Sequence, residues 1–161
     1  NYVATAKNCI ICMDAGHYHP TEMVSSKISS YLAFDQEIML HVSRPVRWDS
    51  DHVVMFDDET RAIMEEIAKY DAFDRVHIGT DYFYASINRV MATVIGARNT
   101  KKSLLSALLL PVDQLRRLEE EGDLARRLAL YEEVKTLPLG AVWEQFCRIE
   151  GVPGNTWYQC V

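Results

Sequence analysis

The sequence predicts an α/β fold built on parallel strands, and three observations lead to this prediction. Three short apolar runs, Cys9–Asp14, Glu37–Ser43 and Val76–Asp81, are bounded by turn-forming or polar residues, as strands buried in a parallel sheet are. Segments with helical periodicity separate these runs. Each run also ends near aspartate or histidine side chains, and the carboxyl ends of parallel strands meet at one edge of a sheet. The chain therefore begins as a β-α-β-α-β series with a candidate metal site at that edge.

The segments between and after these strands are predicted to be helices. Thr21–Phe34 has apolar residues at helical spacing with Thr21 as its N-cap, and a second helix begins after Asp57 or Asp58 and ends near Tyr70. From Ser86 onward the chain is helical, with Pro and Gly residues at most of the breaks. The expected helices are Ile87–Asn99, Lys101–Leu110, Val112–Glu121, Asp123–Thr136 and Ala141–Glu150.

We therefore expect two parts, the βα units of residues 1–100 and a helical extension at residues 101–161. Mixed charges and periodic leucines in the extension indicate a solvated or subunit-packing face.

Composition and charge exclude several classes of protein. The chain has 161 residues, 48% of them hydrophobic, with a formal net charge of −6, so it can build a sizeable core but has no general attraction for nucleic acid or anionic membranes. No apolar stretch reaches the roughly 18 residues of a membrane-spanning helix, and the N-terminus lacks a signal-peptide pattern. Because four cysteines are too sparse for a disulfide scaffold, we expect a soluble cytoplasmic protein.

Two features of the apolar runs are expected to be structural. Cys9 and Cys12 form a C-x-x-C pattern, but residues three apart on a strand point to opposite faces, so the two sulfurs would not readily share an ion. We expect buried, unreactive thiols there. His77 lies inside the third run and is expected to be a core histidine with its hydrogen bonds satisfied.

The candidate metal ligands come directly at or after the strand ends. Gly16 permits a turn that brings His17 and His19 across the end of the first strand. Mixed carboxylate and imidazole ligands without thiolate favour Mn²⁺, Mg²⁺ or Co²⁺ over a structural zinc. Asp49 and Asp51 follow the second strand on a loop. For these two aspartates, capping of the next helix or ion pairs with Arg44 and Arg47 are open alternatives to metal binding. The candidate ligands are Asp14, His17, His41, Asp49, Asp51 and Asp81.

The strands predicted here are too few to close a barrel. A parallel (β/α)8 barrel takes about 250 residues, so the chain is either a small open α/β sheet or the C-terminal part of a barrel. Asn1, in place of an initiator Met, favours the second alternative.

Four sequence motifs are long and distinctive: DAGHYHPTE, LHVSRPVRWDSDHVV, HIGTDYFYASINR and VIGARNTKKSLLSALL. They resemble the C-terminal part of the bacterial L-rhamnose isomerase family, and the similarity extends to about Trp157. The resemblance implies strands six to eight of a (β/α)8 TIM barrel, followed by the α-helical extension, in an enzyme that is usually a homotetramer. It also implies interconversion of L-rhamnose and L-rhamnulose by a 1,2-hydride shift assisted by two divalent cations, commonly Mn²⁺, with Mg²⁺, Co²⁺ or Zn²⁺ as alternatives.

The resemblance also assigns roles residue by residue. It matches Asp14, His41 and Asp81 to ligands of a structural metal, with Asp14 possibly bridging the two ions. It matches His17, Asp49 and Asp51 to ligands of a catalytic metal. The mechanism that it implies has hydroxide, held near the two aspartates, move the proton between O1 and O2 of the sugar. Trp48 and Phe83 could contact the sugar, although we expect core packing for both.

Five barrel strands of the family, with a further glutamate ligand and a lysine, have no counterpart in these 161 residues. We therefore expect the chain alone to be inactive or nearly so, and to need the N-terminal remainder of the barrel as its partner. One alternative is a non-catalytic fragment that acts only in subunit packing or assembly. The other, a metal-dependent endonuclease, is disfavoured because the chain is acidic.

Overall fold

The computed structural model describes residues 9–19, 21–34, 36–47 and 50–160. Short 3₁₀ turns occupy Ala15–His17 and Trp157–Gln159. Contacts divide the chain into one compact unit at residues 1–107 and another at 108–161. The strands in this description are β1 (Ile11–Asp14), β2 (Ile38–Val42) and β3 (Val76–Thr80), and the helices are α1 (Ser25–Leu32), α2 (Asp58–Lys69), α3 (Arg89–Leu108), α4 (Val112–Glu120), α5 (Leu124–Val134) and α6 (Leu139–Ile149).

The described strands form a parallel sheet in the order β1-β2-β3. Parallel neighbours joined through helices are the arrangement expected of βα units, so the predicted α/β class is confirmed. The register sets Asp14 beside His41, and His41 beside Gly79. In the described part of the chain the sheet remains open, and the complete barrel stays a prediction.

One face of the sheet is covered by helices α1 and α2. Met13, Leu40 and Val42 point to this face and are completely buried, because side chains alternate between the two faces of a strand. They pack in one cluster with apolar residues of both helices, including Ile28 of α1 and Ile63 of α2. This core holds the three strand ends in a fixed arrangement.

The opposite face of the sheet carries exposed side chains, and two predictions of burial are therefore wrong. Cys12, Met39 and His77 share one row there, and both Cys12 and His77 are exposed. The expectation of buried thiols at Cys9 and Cys12 is wrong, since both are exposed. The expectation of a core histidine at position 77 is wrong as well: His77 Nε2 lies 2.6 Å from Glu37 Oε2 at the surface. An apolar run is buried on both faces only where both faces are covered.

Helix boundaries follow local capping signals in one case and tertiary contacts in another. Asp57 caps α2 as predicted, accepting a hydrogen bond from the Thr60 N–H at 2.9 Å. Thr21 does not cap α1, which begins at Ser25 without a side-chain cap of its own. Instead the carboxylate of Glu59 accepts bonds from the Ser25 N–H at 3.0 Å and from Ser25 Oγ at 2.9 Å.

Helix α3 is continuous from Arg89 to Leu108, although two helices were predicted there. Asn99 and Thr100, at the predicted break, lie inside it. Asn99 Nδ2 also donates to Val54 O at 2.9 Å. This hydrogen bond is a tertiary contact made by the helix at the predicted break. The predicted boundary between residues 100 and 101 therefore falls within a helix.

The second unit, residues 108–161, is helical, as predicted. Helix α4 buries Leu115, and helix α6 buries Trp143 and Cys147. Helix α5 has no buried residue among those described. Leu124 and Leu128 of α5 are 63% and 60% exposed. No described helix has the length and hydropathy to cross a membrane. A subunit-packing role for this unit remains a prediction.

Candidate metal centre

Adjacent strands place acidic and imidazole side chains along one edge of the sheet. Asp14 is the last residue of β1, and His41 of β2 lies beside it in register. Asp81 directly follows β3, and its N–H donates to Val42 O at 3.3 Å. The three side chains come together because the carboxyl ends of parallel strands share an edge.

The first cluster consists of Asp14, His41 and Asp81. His41 Nδ1 lies 3.2 Å from Asp14 Oδ2 and 3.3 Å from Asp81 Oδ2. A ring nitrogen carries at most one proton, so it can donate one hydrogen bond but not satisfy two carboxylates fully. A divalent cation among the three atoms would serve both carboxylates and the imidazole together.

The second cluster consists of Asp14, His17 and Asp51. His17 Nε2 lies 3.7 Å from Asp14 Oδ2 and 3.6 Å from Asp51 Oδ2. The turn that follows β1 aims His17 back at the strand end, because Asp14 Oδ1 accepts a hydrogen bond from the Gly16 N–H at 2.9 Å. Asp14 therefore uses one oxygen to form the turn and presents the other, Oδ2, to both clusters.

The spacing of these atoms fits bound divalent cations. Two ligands that each lie about 2.1 Å from one ion are at most about 4.2 Å apart. The four separations above, 3.2, 3.3, 3.6 and 3.7 Å, all satisfy this limit. The donors are carboxylate oxygens and imidazole nitrogens, which suit Mn²⁺, Mg²⁺, Co²⁺ or Zn²⁺. The ligand atoms of each cluster lie within 4.8 Å of one another, so the described residues offer candidate ligands for two neighbouring cations that share Asp14.

Hydrogen bonds hold Asp51 and the described residues on either side of it. Arg44 and His52 pair through two backbone hydrogen bonds of 3.0 and 3.1 Å, which close the loop at its base. The Ser50 N–H donates to Gly16 O at 3.1 Å, and Ser43 Oγ donates to Asp51 Oδ1 at 2.9 Å. Sequence reasoning did not single out Ser43, because a serine after a strand carries no distinctive signal.

The remaining expected site residues have different outcomes. Trp48 and Asp49 lie outside the described residues, so their roles stay predictions. Asp57, not Asp51, caps α2, and Asp51 contacts Ser43 and His17. Its expected alternative as a helix cap is therefore wrong.

Phe83 does not pack in the core, contrary to expectation. Its side chain is 67% exposed, and it lies beyond the end of β3. The Arg89 guanidinium lies 5.6 Å from the centre of its ring. With Tyr82, Tyr84 and Ile87 it lines an open groove of about 540 Å³. The Phe83 backbone N–H donates to Asp51 O at 3.2 Å. This bond links the segment after β3 to the second cluster.

Two groups beside the clusters have raised pKa values. Cys12 is exposed, but partial desolvation of its thiol, followed by the negative charges of Asp14 and Asp81, raises the pKa of that thiol. Burial also raises the pKa of Tyr82, whose hydroxyl shares its one proton between Ala92 O at 3.1 Å and Thr93 O at 2.9 Å. These contacts attach the segment that follows Asp81 to α3.

Parallel βα units with carboxylates and imidazoles at their carboxyl edge define a class of α/β proteins with candidate cation sites. Comparison with known proteins then specifies the family. The profile of the family described as L-rhamnose isomerase (RhaA) matches residues 1–161, and this chain belongs to that family.

Its curated relatives include proteins named L-rhamnose isomerase from Salmonella paratyphi B, Salmonella newport and Salmonella typhimurium. Each is 58% identical to this chain over 159 residues. The matched region covers 98% of this chain but 38% of each relative. The chain thus corresponds to the C-terminal part of that family, as its motifs predicted, and spans well under half of those relatives.

Proposed function

We propose that this chain supplies part of the active site of an aldose–ketose isomerase that interconverts L-rhamnose and L-rhamnulose. The observation that carries the proposal is the pair of clusters sharing Asp14 Oδ2, with His41 and Asp81 on one side and His17 and Asp51 on the other. Family membership supports the same reaction, since the relatives matched over this region are named L-rhamnose isomerase.

In this proposal Asp14, His41 and Asp81 hold a structural cation, and His17, Asp49 and Asp51 hold a catalytic one, for which Mn²⁺ is the first choice. The chemistry supplied by the bound cations is polarisation of the sugar oxygens O1 and O2 and a lowered pKa for a bound water. Asp51 and Asp49 hold a water that moves a proton between O1 and O2. The hydride passes directly between C1 and C2 of the open-chain sugar and needs no protein base.

The open groove that Phe83 lines supports a further part of the proposal. Phe83 offers apolar surface near Asp51, to which its own backbone is hydrogen bonded. A sugar held at the second cluster would lie within reach of this segment, and Trp48 would offer a second apolar surface. We propose both side chains as substrate contacts.

We propose that the chain alone has little or no activity. Its three described strands leave the sheet open, and an open edge and an uncovered face are completed in a barrel by further strands. The N-terminal remainder of the barrel is therefore the proposed partner, within a homotetrameric, cytoplasmic enzyme. The exposed leucines of α5 favour a second candidate function, in which the chain acts only in subunit packing.

Thermal unfolding with and without Mn²⁺ tests the metal site. A ligand at one hundred times its Kd stabilises the folded chain by about 2.7 kcal/mol, so Mn²⁺ should raise Tm. Asp51→Asn should reduce that gain. The matched control is Asp113→Asn, at a side chain that is 94% exposed in the first turn of α4, and it should leave the gain unchanged. Equal gains in both variants would contradict the assignment of Asp51.

Ketose formation from L-rhamnose distinguishes the two candidate functions. The chain combined with the N-terminal part of the barrel should form L-rhamnulose in the presence of Mn²⁺, whereas the chain alone should form little or none. Substantial turnover by the isolated chain would contradict the proposal that it needs a partner. No turnover by the combined preparation, with the metal bound, would favour the packing function.

A further inference from the structure

Ser43 lies at the second cluster but is not one of its metal-ligand candidates. It directly follows β2 and its side chain is 4% exposed. Its hydroxyl donates to Asp51 Oδ1 at 2.9 Å. A buried serine donating to a carboxylate forms a charge-assisted hydrogen bond, which is stronger than one between neutral groups.

This bond determines which oxygen of Asp51 faces the cluster. With Oδ1 bound by Ser43, the other oxygen, Oδ2, lies 3.6 Å from His17 Nε2. Gly16 restricts the carboxylate from another side, because a Cβ at that position would lie 1.7 Å from Asp51 Oδ1 and 2.7 Å from Ser43 Oγ. The carboxylate therefore fits between Ser43 and the turn after β1 in one orientation.

We propose that Ser43 is a positioning residue that holds Asp51 as a one-oxygen ligand of the cation bound with Asp14 and His17. The inference rests on the proposed metal site and adds a residue to it. Orienting the carboxylate before the cation arrives removes rotamer freedom that binding would otherwise have to restrict. Hydrogen bonds of this kind to metal-binding side chains typically change metal affinity by about 10- to 100-fold.

The test is calorimetric titration of the metal-free chain with Mn²⁺, comparing Ser43→Ala with Ser25→Ala. Ser25 is a matched control, since it is 7% exposed and its hydroxyl also donates to a carboxylate, Glu59 Oε2, at 2.9 Å. Both variants lose a buried bond from serine to a carboxylate, and both should lower Tm in the presence of a chelator. Only Ser43→Ala should weaken Mn²⁺ binding, by about 10- to 100-fold at one of two binding steps.

Ser43→Cys provides a second variant if Ser43→Ala does not fold. It fills the same buried space but carries a weak donor, so Mn²⁺ binding should weaken there too. Unchanged affinity in whichever of these variants folds would overturn the inference while leaving the metal site in place. Equal weakening in Ser25→Ala would also overturn it, because the effect would then come from general loss of stability. Absence of Mn²⁺ binding by the unsubstituted chain would overturn both the inference and the proposed function.

Discussion

Replacing Gly16 with alanine should disable one cluster and leave the other intact. Among the described glycines, positive φ angles occur at Gly122 and Gly151, so alanine at position 16 introduces no backbone strain of that kind. The added methyl group is the whole perturbation. Its carbon would lie 1.7 Å from Asp51 Oδ1, so the carboxylate must move.

The size of this movement follows from the contact distance. A Cβ atom essentially never approaches another heavy atom closer than 3.0 Å, so Asp51 Oδ1 must retreat by about 1.3 Å, while ligand distances in metal sites are held to about 0.2 Å. The retreat also disturbs the bond from Ser43. Disturbing a metal ligand through its surroundings weakens binding about 10- to 100-fold, or about 1.4 to 2.7 kcal/mol. The hydrogen bond from the residue 16 N–H to Asp14 Oδ1 remains possible in alanine.

Calorimetric titration with Mn²⁺ measures the effect. We expect one binding step of the chain to weaken and the step assigned to Asp14, His41 and Asp81 to persist. Gly140→Ala is the matched control, since a Cβ there would meet nothing within 4 Å. Two unchanged binding steps in Gly16→Ala would refute the geometric reasoning. Equal loss of both steps would refute the separation of the two clusters.

Two further predictions concern the elements that hold the site. Glu59→Gln should lower the free energy of unfolding by about 1 to 2 kcal/mol, because Ser25 loses a charged acceptor at the start of α1. Chemical denaturation measures this loss. The affinity for Mn²⁺ should not change. Gly96→Ala should destabilise by about 1 to 3 kcal/mol despite its better helix propensity, because its Cβ would lie 2.2 Å from the Tyr82 hydroxyl. In a double-mutant cycle, Tyr82→Ala should remove most of that loss, and additive effects would contradict the prediction.

Much of the site could be predicted because its signals are local. Asp14 and His41 end apolar runs, and the rule that parallel strands end at one edge places them together without further information. The same rule located Asp81, which follows β3. Ser43 could not be predicted in this way, because its role depends on a hydrogen bond across the loop to Asp51. The closeness of Gly16 to Asp51 is likewise a contact between two loops.

The errors have a common physical origin in burial. Cys12 and His77 lie in runs that look buried in sequence, yet both are exposed, because α1 and α2 cover only the other face of the sheet. Phe83, which follows β3, is exposed as well. Apolar character in a run indicates a strand but does not state how many of its faces are packed.

The sequence by itself determined the α/β class, the family and the identity of the acidic and imidazole side chains at the strand ends, since these depend on periodicity, capping residues and specific motifs along the chain. Only the tertiary structure decided that Asp14 Oδ2 faces both His17 and His41. It also decided that Ser43 and Gly16 lie against the Asp51 carboxylate. The physical reason is that ligand geometry arises from strand register and loop packing, which join residues far apart in sequence.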